Sequence, residues 1–381
     1  MKTITTLLVL AVGALVALSL TMLASATMLD SKPDESLFTQ AGACLAGVVA
    51  MVVMSAVDYR RWMRGMWLVY GGAMALLILV LLIGHEAKGA RRWLWGTQPA
   101  EIGKFALILA LAWYGSRYAS QMKDFGRGIC GSVGLVAPLI GLVLLEPDRG
   151  TGALMVALTL MLLLLAGARW LYIVAPALLG GAAIAAMVIV SPMARDRIDA
   201  WIHPEAHRDG ASHQVLKGLY AFAQGGIEGR GLGRGTLKYN VPEVHTDFIL
   251  PAVGEELGLT FTLAIVVAYL TILICGLMVA MRAPDQFGLL LAAGITLLIV
   301  AQAMINIGVV TAVFPNKGMP LPFVSRGGSN LAVLMTMVGV LVSVARAERS
   351  EPNDSSPTPE PRGRGGRRNP FSSDTDFVGA A

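Results

Sequence analysis

A carboxylate stands at the junction between a polar segment and a long apolar run, where it could take part in proton transfer. Asp247 follows His245 and Thr246 and directly precedes the apolar run that begins at Phe248. An acid at the start of a helix can simply cap the free backbone N–H groups, which is the plainer interpretation. Placed beside a bound substrate, the same carboxylate can accept a proton as a general base. Both interpretations stay open at this point.

Two further acids, Glu255 and Glu256, follow inside the same apolar run. Ionised side chains within a membrane-spanning helix are costly unless they are paired or face a wet cavity. The candidate partners are His245, Thr246 and Gln302. The acidic pair therefore predicts either internal hydrogen bonding or a polar cavity at this depth.

A group of basic and polar residues precedes another apolar segment and could bind phosphate. Arg92, Gln98, Glu101 and Lys104 lie within a short stretch, and Pro99 suits the first turn of a helix. On that helix Glu101 and Lys104 are three residues apart and share a face, so they can form an internal ion pair. The alternative is a cationic site for phosphate, to which arginine offers paired N–H donors.

Segment 315–329 breaks any helix, because it contains three prolines and three glycines. Irregular backbone at membrane depth is tolerated only where it is buried in protein or lines a cavity. Lys317 and Arg326 are therefore expected to face such a cavity, with Arg149 on the same side. Their charges would suit an anionic ligand.

Two other patterns argue against nucleotide and metal sites. Glycines recur between Gly225 and Gly235, but no strand precedes them and no Lys-Ser or Lys-Thr pair follows, so tight turns explain them better than a nucleotide-binding loop. The three cysteines, Cys44, Cys130 and Cys275, lie singly within apolar runs. We interpret them as packing residues rather than metal ligands.

The composition is that of a membrane protein. Apolar residues make up 55% of the 381 residues and charged residues 14%, whereas soluble domains carry about 25% charged residues. The net charge of +5 indicates no general affinity for nucleic acid. A spanning helix needs about 20 mainly apolar residues. We predict ten spans, at residues 4–28, 37–57, 65–84, 101–118, 129–145, 151–166, 171–190, 248–281, 288–313 and 329–345.

The predicted fold is all-α, a polytopic integral membrane protein with about ten transmembrane helices in one domain, residues 1–346. The first segment is expected to be retained as a span rather than removed as a signal peptide, because its apolar stretch is long and more spans follow. The eighth is too long for a straight span and should tilt or continue into the cytoplasm. Between helices 7 and 8 we predict a large extracytoplasmic loop, 191–247, in which 213–222 has the spacing of an interfacial helix.

The distribution of basic residues predicts the orientation. Because ten is an even number, ten spans place both termini on the same side of the membrane. The polar tail 347–381, which is predicted to be disordered, favours the cytoplasm for that side. The arginine cluster of the tail, 362–368, could touch anionic lipid, although a solvated charge run is the plainer interpretation. The outer side is also basic, through Lys32, Lys88, Arg91, Arg92, Arg149, Lys317 and Arg326. This outer excess predicts an enzyme or transporter that handles an anionic lipid with phosphates.

Several motifs, in order, carry a resemblance to a known family. They are GARRW, QPAE, EPDRGT, GRGLGRG, HTDFILPAVGEELG and FPNKGMPLPFVSRGGSN, spread over about residues 50–345. Together they resemble the SEDS proteins (shape, elongation, division and sporulation), and the PNKG turn is more similar to division-type members than to elongation-type ones. The sequence departs from the family pattern at EPDRGT, which more often reads QPDLGT, and at Val310, Arg326 and Asn330.

The resemblance implies ten membrane helices in the bacterial inner membrane, both ends cytoplasmic, and polymerisation of lipid II at the division septum. The implied partners are a class B penicillin-binding protein (a transpeptidase), other divisome proteins and membrane lipids. Asp247 matches the family's essential acid, and Arg92, Lys104 and Lys317 match its basic positions. We predict Asp247 as the catalytic residue and assign binding of pyrophosphate or sugar to Arg92, Lys104, Lys317, Glu101, Gln98, His245 and Ser325. No residue is assigned to a metal, although a divalent cation such as Mg²⁺ or Mn²⁺ could assist.

Three functions are open on these grounds. The first is an inverting peptidoglycan glycosyltransferase, in which Asp247 deprotonates the 4-hydroxyl of the acceptor sugar and undecaprenyl pyrophosphate leaves as a β-1,4 bond forms. The second is a lipid II flippase, which broken helices and cavity charges would also suit. The third is a non-enzymatic scaffold that activates a transpeptidase.

Overall fold

The computed structural model describes residues 1–27, 33–87, 90–208, 210, 212–237, 241 and 244–350. Residues 1–349 form one compact unit. The last helix runs to Ser350, a few residues past the predicted start of the tail, and the rest of the tail lies outside the described residues. Of the predicted outer cations, Lys32 and Lys88 also lie outside them.

Helices make up most of the described chain, in agreement with the predicted all-α fold. A short antiparallel hairpin, β1 (His85–Ala87) and β2 (Ala90–Trp93), connects two of them. Single turns of 3₁₀ helix occur at Ala119–Gln121 and Pro204–His207, and a π-helical turn spans Phe125–Cys130. The α-helices are α1 (Lys2–Thr27), α2 (Pro33–Ala56), α3 (Arg60–Ile83), α4 (Pro99–Arg117), α5 (Gly131–Leu145), α6 (Arg149–Leu165), α7 (Trp170–Val190), α8 (Pro192–Ile202), α9 (His213–Gly225), α10 (Ile249–Met281), α11 (Gln286–Val310) and α12 (Gly328–Ser350).

Each predicted span coincides with one of these helices, namely α1 to α7 and α10 to α12. Within the described residues, seven segments are long and apolar enough to cross a membrane, in α1, α2, α3, α5, α10, α11 and α12. Helix α6 is apolar but shorter, and α4 carries Glu101, Lys104 and Arg117. The all-α, multi-pass architecture is therefore confirmed, and the count of ten spans stays a prediction.

Glycines at helix crossings allow the central helices to pack closely. Gly276 of α10 lies against Thr296 of α11, and Gly294 of α11 lies against Ile108 of α4, with no room for a Cβ atom at either glycine. Because lipid tails are as apolar as the helices, close packing rather than water exclusion drives helix association in a membrane. Helices α11 and α12 are consequently mostly buried, whereas α2 and α3 leave most of their surface exposed.

Helix α10 is interrupted at Gly258, a feature that its length alone does not predict. Gly258 has φ 78° and ψ −175°, a conformation that glycine adopts without strain. The glycine-rich loop lies against this break, where Leu259 N–H donates to the Gly226 carbonyl (2.9 Å) and Gly231 N–H donates to the Glu256 carbonyl (2.9 Å). The loop therefore supplies backbone partners at the break in place of the missing helical ones.

The two acids of α10 are anchored by the same loop. Glu255 accepts hydrogen bonds from Thr236 N–H (2.7 Å), Leu237 N–H (2.9 Å) and the Thr236 hydroxyl (2.7 Å), and pairs with Arg230 (3.3 Å). Glu256 accepts from Gly233 N–H (3.0 Å) and the Ser25 hydroxyl (2.5 Å). The structure therefore supports internal hydrogen bonding of this acidic pair. Gln302, one of the predicted partners, instead accepts a hydrogen bond from Lys104.

We expect Glu255→Ala to lower the free energy of unfolding by about 3 kcal/mol, because it leaves buried backbone donors and Arg230 without their acceptor. Thermal unfolding in detergent, followed by tryptophan fluorescence, measures this loss. Glu228→Ala is the matched control, since Glu228 is exposed in the same loop. Equal unfolding temperatures for the two variants would contradict the anchoring role.

Candidate active site

The Asp247 turn is fixed by hydrogen bonds to segment 315–329. Asn306, buried in α11, donates to the carbonyls of both Asp247 (2.9 Å) and Met319 (2.6 Å). Arg326 N–H donates to the His245 carbonyl (2.8 Å). The Ser325 hydroxyl donates to the Thr246 carbonyl and accepts from Leu321 N–H (2.7 Å). The backbone around Asp247 is therefore held at three successive residues.

The carboxylate of Asp247, which is half-buried, lies directly against Gly318. A Cβ atom at position 318 would overlap Asp247 Oδ2. A side chain at position 318 would therefore displace the Asp247 carboxylate or the turn itself. Asp247 and the Lys317–Gly318 turn form one structural unit.

Asp148 is the centre of a polar cluster on the other side of that turn. It caps α6, accepting from Thr151 N–H (3.1 Å) and from the Thr151 hydroxyl (2.9 Å). Gln98 Nε2 donates to Asp148 Oδ2 (3.2 Å), and the Arg92 guanidinium lies 3.8 Å from the same oxygen. The hairpin, the start of α4 and the start of α6 therefore meet at one carboxylate.

Lys317 joins this cluster from segment 315–329. A Cβ on Gly150 would lie 2.8 Å from Lys317 Cε, so the lysine stem packs on the first turn of α6. Burial lowers the pKa of Lys317 below its ordinary value; Asp148 opposes that effect, and Arg197 and Arg149 add to it. Since several cations surround a single carboxylate, the cluster is suited to an additional anion.

Glu101 and Lys104 lie in the protein interior, away from this cluster. The Lys104 ammonium is 2.7 Å from Glu101 Oε2 and donates to Gln302 Oε1 of α11 (3.3 Å). Their side chains are only 4% and 2% exposed. Of the two alternatives open from the sequence, the structure favours the internal ion pair, which ties α4 to α11.

A groove of about 500 Å³ opens beside the Asp247 turn. Its walls include the exposed ring of Trp93, the exposed side chain of Arg326, and His245. Gln40 of α2 forms a buried part of the wall and accepts from Gly327 N–H (3.4 Å). An exposed aromatic ring beside amide and cationic groups is a surface on which a polar ring such as that of a sugar can bind.

The structure brings together some of the predicted site residues and separates others. Arg92, Gln98 and Lys317 converge on Asp148, whereas Ser325 is engaged with backbone and Lys104 with Glu101. Asp148 and Asn306 were not predicted as site residues. The spacing of Asp148 and Thr151, typical of a helix cap, and an asparagine inside an apolar helix were the available signals.

No metal site can be assigned within the part of the chain that the structure describes. No group of three or more His, Cys, Asp or Glu side chains there could hold a metal ion.

Comparison with known proteins gives consistent matches. A family model described as cell cycle protein (FtsW, RodA, SpoVE) matches residues 1–350. A probable peptidoglycan glycosyltransferase FtsW of Geobacter metallireducens is 37% identical over 315 residues, 81% of this chain and 84% of that protein. Stage V sporulation protein E of Bacillus subtilis is 36% identical over 356 residues, 91% of this chain and 96% of that protein. A solved structure described as "Structural coordination of polymerization and crosslinking by a peptidoglycan synthase complex" aligns with a TM-score of 0.75 at 25% identity, over 90% of this chain and 98% of that one.

Proposed function

This chain belongs to the FtsW, RodA and SpoVE family of cell cycle proteins, the SEDS family, and we propose that it polymerises lipid II into β-1,4-linked glycan strands during cell division. The observation that carries the proposal is the position of Asp247, held between a groove suited to a sugar and a cluster suited to phosphate. The relatives named as probable peptidoglycan glycosyltransferases support the reaction class.

In the proposed reaction Asp247 accepts the proton of the acceptor sugar's 4-hydroxyl group. The freed oxygen attacks the anomeric carbon of the donor from the face opposite the leaving group. The bond from that carbon to undecaprenyl pyrophosphate breaks, and an α-linked donor yields a β-1,4 bond. The proton stays on Asp247 until it is lost to solvent.

The cationic cluster stabilises the charge that develops on the leaving group. Arg92 and Lys317 approach Asp148 from two different segments, so an entering pyrophosphate finds positive charge already in place. Groups fixed before the reaction are the most effective electrostatic catalysts, since they do not reorganise as charge forms. Gln98 holds Asp148 in position. Glu101 and Lys104 act indirectly by fixing α4 beside the cluster.

We expect Lys317→Ala to reduce polymerisation about 10- to 100-fold, with most of the loss in affinity for lipid II, because a charge-assisted phosphate contact disappears. Initial rates over a range of lipid II concentrations separate affinity from turnover. Lys317→Arg should recover part of the activity, and Lys123→Ala, at an exposed lysine on the predicted cytoplasmic side, should have none of this effect. Wild-type affinity in Lys317→Ala would remove the lysine from the site.

A flippase is the second candidate, because the break in α10 at Gly258 is also typical of transporters. The decisive experiment supplies fluorescent lipid II in detergent to the purified chain and a class B penicillin-binding protein whose transpeptidase serine is blocked. Detergent micelles have no two leaflets, so transport gives no product. A muramidase-sensitive polymer supports the glycosyltransferase, and a folded complex that makes none overturns it.

Failure of that assay would be informative about the other two functions. Movement of lipid II across proteoliposomes would then indicate a flippase. Activation of the transpeptidase without glycan synthesis would indicate the scaffold. The similar structure of a peptidoglycan synthase complex that combines polymerization and crosslinking supports a crosslinking partner for this chain. We place both termini in the cytoplasm and the protein at the division septum.

A further inference from the structure

Glu146 is a buried carboxyl group that the proposed mechanism leaves unused. It follows α5, and its side chain is 0% exposed. Neither carboxyl oxygen has a hydrogen-bond partner among the described residues. A carboxylate without partners in such surroundings is strongly destabilised, whereas the neutral acid is tolerated.

The charges near Glu146 do not offset this cost. Asp148, two residues further on, repels a second negative charge, and Arg92 is already 3.8 Å from Asp148. Lys317 and Arg149 belong to the same cluster. Burial, followed by Asp148, raises the pKa of Glu146 to about 8, and Arg92 opposes the shift.

We propose that Glu146 carries a proton and thereby sets the net charge of the phosphate-binding cluster around Asp148. With the proton in place, Arg92, Arg149 and Lys317 face one carboxylate; ionisation adds a second. An anion bound in the cluster would in turn raise the proton affinity of the Glu146 carboxylate. The class of ligand, a phosphate or pyrophosphate ester, rests on the proposed function. The protonation of Glu146 does not rest on it.

The protonation itself is tested by infrared spectroscopy on the full chain. The difference spectrum between wild type and Glu146→Gln should contain the C=O stretch of a protonated carboxylic acid below pH 8 and lose it well above pH 8. The Glu228→Gln variant, which removes an exposed acid instead, is the matched control and should retain the wild-type band at about pH 7. Absence of the band from the Glu146 difference spectrum overturns the proposal, whether or not the protein polymerises lipid II.

The effect on the cluster is tested by binding of inorganic pyrophosphate across the same pH range. As the pH rises through about 8, the affinity of wild type for pyrophosphate should fall roughly threefold to tenfold more than that of Glu146→Gln. The difference is expected because ionised Glu146 adds one negative charge near the bound anion. Lys317 and the pyrophosphate probe are common to both measurements, so the difference between the two curves reports Glu146. Superimposed curves overturn the charge-setting role. If wild type shows the infrared band and the pH-dependent binding but makes no glycan, the proposed function is overturned and the proposal for Glu146 stands.

Thermal stability provides a third readout. An unfolded glutamate loses its proton near its ordinary pKa of 4.5, while the folded Glu146 keeps it to about pH 8. Wild type should therefore lose stability relative to Glu146→Gln as pH rises from 4.5 to 8. A difference in unfolding temperature between the two proteins that stays constant from pH 4.5 to 8 contradicts the proton on Glu146.

Discussion

Gly318→Ala is expected to lower lipid II polymerisation at least about 100-fold. The new Cβ would overlap Asp247 Oδ2, so either the carboxylate or the Lys317–Gly318 turn must move. A displacement of about 1 Å at a reacting group can cost about 100-fold in rate, because the geometry for attack is lost. Initial rates with fluorescent lipid II, measured beside the unfolding temperature, give the effect on chemistry separately from folding.

Gly134→Ala is the matched control for this substitution. Gly134 lies on α5, is exposed, and a Cβ there meets no atom within 4 Å. We expect its polymerisation rate to stay within about threefold of wild type, since no group must move. Equal losses in the two variants would show that the loss in Gly318→Ala does not come from the overlap with Asp247. Full activity in Gly318→Ala would show that Asp247 does not act in the position described.

The helices were predictable because a spanning segment has a fixed length scale of about 20 apolar residues. The break in α10 was not predictable from the apolar run that contains it. Gly258 has its non-helical conformation where the loop from Gly226 to Leu237 supplies distant partners. Only the long-range hydrogen bonds distinguish a tilted helix from an interrupted one.

Residue type and the family resemblance together pointed to Asp247, Arg92 and Lys317 as site residues. The structure places Arg92 and Lys317 near the same carboxylate, Asp148. Lys104 has the same charge but is buried against Glu101. Burial and pairing depend on the folded neighbours, so the sequence left the role of Lys104 open.

Asp247→Asn is expected to slow polymerisation by about 100- to 10,000-fold, the usual contribution of a general base. The amide has nearly the same shape, and the Asn306 bond to the main-chain carbonyl at position 247 does not involve the side chain. Binding of lipid II should therefore stay close to wild type. Asp196→Asn, at an exposed acid on α8, makes the same chemical change away from the site and should be as active as wild type.

The most direct test of Asp247 as the base is an initial-rate measurement with lipid II and the blocked partner in excess over the chain. It follows release of undecaprenyl pyrophosphate, one molecule for each glycosidic bond. We predict release by wild type and Asp196→Asn, and release by Asp247→Asn slowed at least about 100-fold at matched lipid II occupancy. Release by Asp247→Asn at the wild-type rate would contradict the assignment of Asp247 as the base.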